Sequence, residues 1–168
     1  MKIAVSLLSS YLYCSRKLFL EKVLMLEEPP KESVVMGTIR HETYDSINKN
    51  EENIVTSVTE KISLEETKAI YGQSYLGFLR DSILKNRQEL ESVNIGMMDA
   101  YKKSMPFIAK ESETRAVNLM QFIKENNVFG DQLWHLLTPK IMSEFRIESD
   151  KLKLKGIIDQ IHVYKEGY

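Results

Sequence analysis

The sequence has very little cysteine: Cys14 is the single one among 168 residues. One thiol cannot form an internal disulfide, which excludes a small secreted fold stabilised by disulfides. It also cannot hold a zinc ion or an iron–sulfur cluster by itself, because such sites use about four ligands. Any cluster that includes Cys14 would therefore need ligands from elsewhere.

Long apolar runs are missing as well. No stretch approaches the roughly 18 residues that predict a membrane span. The start of the chain lacks the long apolar segment and small-residue cleavage site of a signal peptide. The sequence therefore predicts a cytoplasmic protein without a membrane partner.

The chain has no excess of one charge, since 23 Lys and Arg residues face 24 Asp and Glu residues for a net charge of -1. Binding to nucleic acid would have to depend on local basic clusters. The length and the 43% share of hydrophobic residues suit one domain with its own core, which we place at residues 1–168.

Helical patterns fill the first two-thirds of the chain. Apolar residues with a period of about 3.6 predict a helix from Val5 to Leu26, with Ser6 as its N-cap, and a second helix from Met36 to Asn48. The segment from Ile54 to Ile62 is ambiguous, and we favour a strand for part of it. Three amphipathic helices should follow between residues 63 and 127.

Pro106 is expected to kink the second of these three helices. A short helix is predicted from Asp131 to Leu137. The pattern then changes, because Ile141 to Glu148 and Leu152 to Tyr164 alternate apolar and polar residues around a turn. The predicted fold class is α+β: a mostly helical N-terminal two-thirds followed by a C-terminal β-hairpin.

Three groups of residues have chemical potential. Asp159 ends the run Gly156-Ile157-Ile158, where a carboxylate is costly unless it is paired or binds a cation. It is either a metal ligand or a residue at a strand end that faces water. His41 lies four residues after Gly37 on the predicted second helix, where an imidazole can bind a metal such as manganese, or can simply be exposed or packed.

The other candidates are cationic or thiol side chains. Arg40, beside His41, has a guanidinium that suits a phosphate. Cys14 is close to Arg16 and Lys17, which favour a thiolate and can also contact a DNA backbone. A structural role for Cys14 is an equally good interpretation.

In order and spacing, the three groups resemble the RecB-like branch of the PD-(D/E)XK nucleases, and most of all the CRISPR-associated exonuclease of the Cas-four type. The residues that match its N-terminal segment, its histidine helix and its hairpin are Ser6, Leu8, Tyr11, Cys14, Arg16, Lys17, Gly37, His41, Glu144, Gly156 and Asp159. The resemblance implies that residues 139–168 begin the sheet of a restriction-endonuclease-like α/β core. Residues 50–138 would form a helical arch that guides single-stranded DNA.

The resemblance also implies a site and a function. His41 and Asp159 would be catalytic metal ligands for Mn²⁺ or Mg²⁺, with indirect support from Glu144. Arg16, Lys17 and Arg40 would contact DNA. The activity would be a metal-dependent exonuclease that processes single-stranded or frayed DNA ends during spacer acquisition, with CRISPR integrase proteins as partners.

Parts of the family pattern are missing. The family has a Glu-x-Lys strand about ten residues after the aspartate, whereas Lys165-Glu166 has the wrong order and residues 165–168 look like a turn. Three later cysteines are also missing, which would leave Cys14 as the lone ligand of a [4Fe-4S] cluster that this chain cannot form. We therefore expect a C-terminally truncated nuclease domain with little or no activity.

Two other hypotheses compete with a truncated nuclease of this family. In one, the chain is a non-catalytic module of the same fold that binds DNA or a protein. In the other, it is an unrelated helical protein with a C-terminal hairpin. The last hypothesis requires the three motif matches to be chance, and a structure with His41 and Asp159 far apart would establish it.

Overall fold

The computed structural model describes residues 2–26, 28–59 and 62–164. The described elements, in chain order, are β1 Ile3–Ala4, α1 Val5–Lys22, α2 Glu32–Thr56, α3 Leu64–Lys85, α4 Arg87–Ser92, α5 Met97–Asn126, α6 Gly130–Leu136, β2 Lys140–Ser149 and β3 Leu154–Val163. The fold is α+β, with a mostly helical N-terminal part and a small C-terminal sheet, which confirms the predicted class.

The core lies between α2, α3, α5 and α6. On α2, buried side chains recur every four residues, at Val35, Ile39, Thr43 and Ile47. This spacing keeps them on one face of the helix. Helices α3 and α5 share the largest contact between helices.

Small side chains on α5 make this contact close. Its buried stripe includes Ala100, Ser104, Ser112 and Ala116, which leave room for a neighbouring helix to pack at short range. Large side chains of α3, among them Tyr75 and Leu79, are fully buried.

The sheet has the order β1-β3-β2. Strands β2 and β3 form an antiparallel hairpin, and β1 pairs in parallel with the start of β3, with Ile3 opposite Leu154. The predicted hairpin is confirmed, whereas the two-residue strand β1 was not predicted because it is too short to show alternation. Helix α2 contacts β2, so the helical layer adjoins the hairpin.

Two predictions for the first helix are wrong. Helix α1 ends at Lys22 instead of Leu26, and the chain then turns with Met25 in the left-handed region at φ 52°. The N-cap is Ala4 and not Ser6, and it makes no side-chain capping bond. Ile3 and Ala4 are paired with β3, and α1 begins at the next residue, Val5.

Two further expectations in the middle of the chain are wrong. Residues 54–56 belong to α2 and not to a strand, because Ile54 and Val55 extend its buried face. The second and third predicted helices form one helix, α5, with Pro106 inside it. Packing of the buried stripe on both sides of Pro106 favours a continuous helix despite the missing donor.

Some predictions lie beyond these observations. The predicted turn at 165–168 falls outside the described residues. The division into a helical arch at 50–138 and a sheet part at 139–168 stays a prediction. Within the described ranges, no helix combines the length and the apolar character needed to cross a membrane.

Candidate metal centre

Helix α2 carries His41 beside the hairpin. His41 lies between the buried residues Ile39 and Thr43 but outside their stripe, and its side chain is 49% exposed. Because α2 packs on the core through that stripe and also contacts β2, the imidazole is held where the helix meets the sheet.

The hairpin places two carboxylates next to this imidazole. Glu144 on β2 and Asp159 on β3 lie opposite each other, between the paired residues Ser143–Gln160 and Phe145–Ile158. Opposite residues of an antiparallel pair share one face of the sheet. Both carboxylates therefore face the same way although 15 positions separate them in the sequence.

The three side chains form one compact group. His41 Nε2 lies 3.0 Å from Glu144 Oε1 and 3.8 Å from Asp159 Oδ1. One ligand atom from each residue lies within 4.8 Å of the others. The structure thus brings together residues that the sequence predicted from the histidine helix and from the hairpin, with Glu144 nearer to the imidazole than Asp159.

The backbone at Glu144 is unusual. Its φ is 55°, in the left-handed region, which costs a residue with a side chain about 1 kcal/mol or more. Ser143 and Phe145 on either side are paired with β3. The strain therefore falls on the one β2 residue whose carboxylate joins the group.

The electrostatics of this group favour a cation. Like charges directly opposite each other in a sheet are destabilising. Two carboxylates and an imidazole offer oxygen and nitrogen ligands, the kinds that suit Mn²⁺, while Mg²⁺ prefers the oxygens. By their chemistry and spacing, the three residues fit a divalent cation.

A groove of about 480 Å³ opens beside the group, with His41 and Glu144 in its wall. Its cationic lining residues are Lys49, Lys85 and Arg146. Lys49 pairs with Asp45 at 2.5 Å, and Lys85 pairs with Glu42. Burial opposes ionisation of Glu42, but hydrogen bonds from Lys85 and Asn86 outweigh it and hold the pKa of Glu42 below its usual value.

Arg40 lies at a second depression, of about 300 Å³, that is also lined by His41 and Asp159. Its guanidinium stacks 5.0 Å from the ring centroid of Phe107 on α5, and that ring is 56% exposed. The structure therefore places Arg40 beside the group with an exposed aromatic ring under it.

The predicted residues of α1 form a separate local structure. Cys14 interrupts the helix at φ -159° and ψ 98°. Its Sγ accepts a bond from the backbone N–H of Lys17 at 3.4 Å, so the thiol caps the second half of α1. Lys17 pairs with Glu28 at 2.6 Å, while Arg16 is exposed. Among the described residues, Cys14 belongs to no group that could hold a metal.

The two glycines of the motifs differ in their surroundings. A Cβ on Gly156 would lie 3.4 Å from Val5 Cγ2, which is an ordinary van der Waals contact with the start of α1. A Cβ on Gly37 would meet no atom within 4 Å among the described residues. Close packing therefore requires glycine at neither position.

A set of polar residues behind the group was not predicted from the sequence. Asn48 on α2 bonds to Ser143 on β2, and Arg115 on α5 bonds to Asn48. Asn48 follows His41 by seven residues, which is two helical turns on the same face. That spacing, and the position of Ser143 directly before Glu144, are the signals that would have identified them.

Residues 3–162 match the family model described as DNA replication factor Dna2. No curated protein and no solved structure matches the chain. The predicted membership in a RecB-like, CRISPR-associated exonuclease family is therefore wrong. The motifs behind that prediction describe a site layout, and related nuclease-like families can share a layout. The match relates the chain to DNA replication and to DNA as its partner.

Proposed function

The chain belongs to the family of DNA replication factor Dna2, and on that premise we propose that it is a nuclease-derived DNA-processing domain with a divalent-cation site. His41, Glu144 and Asp159 would all be ligands of Mn²⁺ or Mg²⁺. The observation that carries the proposal is their convergence: three elements bring one ligand atom each to within 4.8 Å of the others.

The chemistry of such a site is phosphodiester hydrolysis. A bound divalent cation makes a water more acidic and offsets charge on phosphate oxygens. In this chain, the His41 imidazole and the two carboxylates would hold the cation, and their positions on a helix and two paired strands keep them in place. The proposed substrate is single-stranded or frayed DNA.

Basic residues near the group would hold the DNA backbone. Arg40 adjoins the group, and Arg146 lines the groove beside it. Arg16 and Lys17 on α1 are further proposed contacts. Since Lys17 is paired with Glu28, its contact with a phosphate would have to displace that carboxylate. Arg40 is therefore the strongest of the proposed contacts.

The proposal includes no iron–sulfur cluster, because such clusters need about four ligands and the chain has one cysteine. CRISPR integrase proteins are not proposed as partners either, because that prediction depended on the family assignment that proved wrong. The cytoplasmic location stays a prediction.

One observation favours a second function, a non-catalytic module that binds a protein. Helix α1 exposes Leu7, Leu8, Tyr11 and Leu12, by 37% to 76%. Exposed apolar residues that share one element often mark an interaction surface. In that case the substitutions His41→Ala and Asp159→Ala would leave partner binding intact.

The test is a calorimetric titration of the purified chain with Mn²⁺, followed by a cleavage assay on single-stranded DNA with Mn²⁺ present. We expect binding at one site, weakened at least about tenfold in His41→Ala, Glu144→Gln and Asp159→Ala. Matched controls are His135→Ala and Asp131→Ala, which change exposed residues of α6.

The outcomes separate the functions. Metal binding with cleavage that is lost in the three variants supports the nuclease. Metal binding without cleavage supports a cation-dependent DNA-binding domain. A folded chain that binds no Mn²⁺, or that binds it equally well in all three variants, overturns the proposed site and leaves the protein-binding module.

A further inference from the structure

A hydrogen bond ties the metal-site strand to the metal-site helix. Asn48 Nδ2 on α2 donates to Ser143 Oγ on β2 at 2.6 Å. Asn48 follows His41 by two turns of the same helix, and Ser143 directly precedes Glu144. The bond therefore joins the two elements that carry the two closest members of the group.

Asn48 is itself held in place from α5. Arg115 Nη2 donates to Asn48 Oδ1 at 3.0 Å, and Arg115 Nη1 donates to Glu51 Oε2 at 2.8 Å. The side chains of Arg115 and Glu51 are each only 12% exposed. Because the side-chain oxygen of Asn48 accepts a hydrogen bond from Arg115, its side-chain nitrogen points toward Ser143.

The network around Glu51 is well satisfied. Tyr75 and Tyr71 donate their hydroxyls to the Glu51 carboxylate at 2.8 and 3.2 Å, and Arg115 also donates to Glu111 at 2.8 Å. A buried network with satisfied partners is rigid. The position of Asn48 is thus determined by the core and not by the site.

Glu144 needs such support. Its left-handed φ of 55° is unfavourable, and a strained residue persists only where its surroundings determine it. The carboxylate of Asp159 opposite it is a second unfavourable factor. The Asn48–Ser143 bond fixes the residue immediately before the strained position.

We propose that Asn48 and Ser143 are positioning residues, which hold Glu144 in the orientation that binds a divalent cation. The inference rests on the proposed function, since it assumes that Glu144 is a ligand. Supporting contacts of this kind typically change metal affinity by roughly 10–100-fold. A merely structural role would change the stability of the chain without changing its affinity for metal.

The test compares four variants of the full chain by Mn²⁺ titration calorimetry and by the electron paramagnetic resonance of bound Mn²⁺. Ser143→Ala and Asn48→Ala remove the bond, while Ser143→Thr keeps a hydroxyl. Asn50→Ala is the matched control, because Asn50 also lies on α2 and is partly buried but bonds to the Ser46 carbonyl of its own helix. Urea unfolding without metal measures stability for all four.

We expect Ser143→Ala and Asn48→Ala to bind Mn²⁺ roughly tenfold more weakly and to alter its resonance spectrum. Ser143→Thr should retain most of the affinity. Asn50→Ala should lose stability at most, with unchanged affinity and spectrum.

Two results overturn the inference. One is an unchanged affinity in folded Ser143→Ala. The other is a loss confined to Asn48→Ala, since Asn48 would then act without Ser143. Both leave the proposed function standing, provided that the unaltered chain binds Mn²⁺ and His41→Ala does not. If the unaltered chain binds no Mn²⁺, the proposed function has failed first.

Discussion

Glu144 and Asp159 lie directly opposite each other on the antiparallel strands β2 and β3, with His41 Nε2 within 4 Å of both. Two facing carboxylates repel each other in the absence of a cation. The same arrangement becomes favourable when a divalent ion lies between them. On the proposed function, the stability of the chain should therefore depend on metal.

Replacing Glu144 by Gln should change stability in opposite directions with and without metal. Without metal, Glu144→Gln removes the repulsion between the two carboxylates and should stabilise the chain. With Mn²⁺ at 100 times its Kd, the unaltered chain should gain about 2.7 kcal/mol, and the variant should lose most of that gain.

Urea unfolding with a chelator and then with Mn²⁺ measures both effects. Glu52→Gln, an exposed change on α2, is the control and should behave like the unaltered chain. A variant that is less stable than the unaltered chain in the chelator would show that the two carboxylates do not repel each other.

Tyr75→Phe should destabilise the helical core. The Tyr75 hydroxyl donates to Glu51 at 2.8 Å, and Glu51 is mostly buried. Loss of this donor leaves the carboxylate less well satisfied and should cost about 1–3 kcal/mol. Tyr13→Phe is the control, because Tyr13 is 87% exposed, and its free energy of unfolding should be nearly unchanged. Equal effects in the two variants would contradict the buried network.

Stability should fall at alkaline pH. Burial, together with the nearby Glu51 carboxylate, raises the pKa of Tyr71 and Tyr75 well above the ordinary value of 10.0. Both tyrosines stay neutral in the folded chain at pH values where the unfolded chain ionises them. Their contribution is therefore complete below pH 10 and is lost progressively as the pH rises above it.

Tyrosinate absorbance and circular dichroism, followed together in an alkaline titration, measure this effect. Tyr71 and Tyr75 should ionise only as the helical signal is lost. Comparison with Tyr75→Phe assigns the part of the absorbance change that belongs to Tyr75. Ionisation of Tyr75 while the chain is still folded would contradict the expected rise in its pKa.

Arg40→Gln should weaken binding of single-stranded DNA. One lost phosphate contact should lower the slope of log K against log salt by about 0.7. Fluorescence anisotropy over a salt series, with a labelled oligonucleotide, measures it. Arg87→Gln is the control, since Arg87 pairs with Glu91 on α4 and should not contribute. A similar loss in both variants would mean that net charge and not Arg40 determines binding.

Local patterns were sufficient for much of the fold. The hairpin was predictable because alternation of apolar and polar residues is a property of each strand alone, and the central helices were predictable from their apolar period. The error at Ile54 and Val55 has the opposite cause. Both residues favour strands, but they complete the buried face of α2, and burial against neighbouring helices outweighs local preference.

The site was predictable in composition and only in part in arrangement. His41 and Asp159 stood out because an imidazole and a carboxylate in those patterns suit a cation. Glu144 was expected to support the site indirectly, and it lies 3.0 Å from His41 Nε2, so its role as a support or as a ligand stays a prediction. Its position depends on strand register and on a left-handed φ, which the sequence around it does not show. The predicted family was wrong for a related reason. Short motifs describe the residues of a site, whereas a family is defined by the whole chain.

The sequence alone determined which side chains are available, among them the His41 imidazole on a helix, the Glu144 and Asp159 carboxylates on the two strands of a hairpin, and the single thiol of Cys14. Composition and local periodicity suffice for that because they depend on neighbours along the chain. The tertiary structure decided that Glu144 and Asp159 face each other beside His41, and that Asn48 ties the helix to the strand. Those relations depend on the packing of α2 between the helical core and the hairpin, which brings together residues about 100 positions apart.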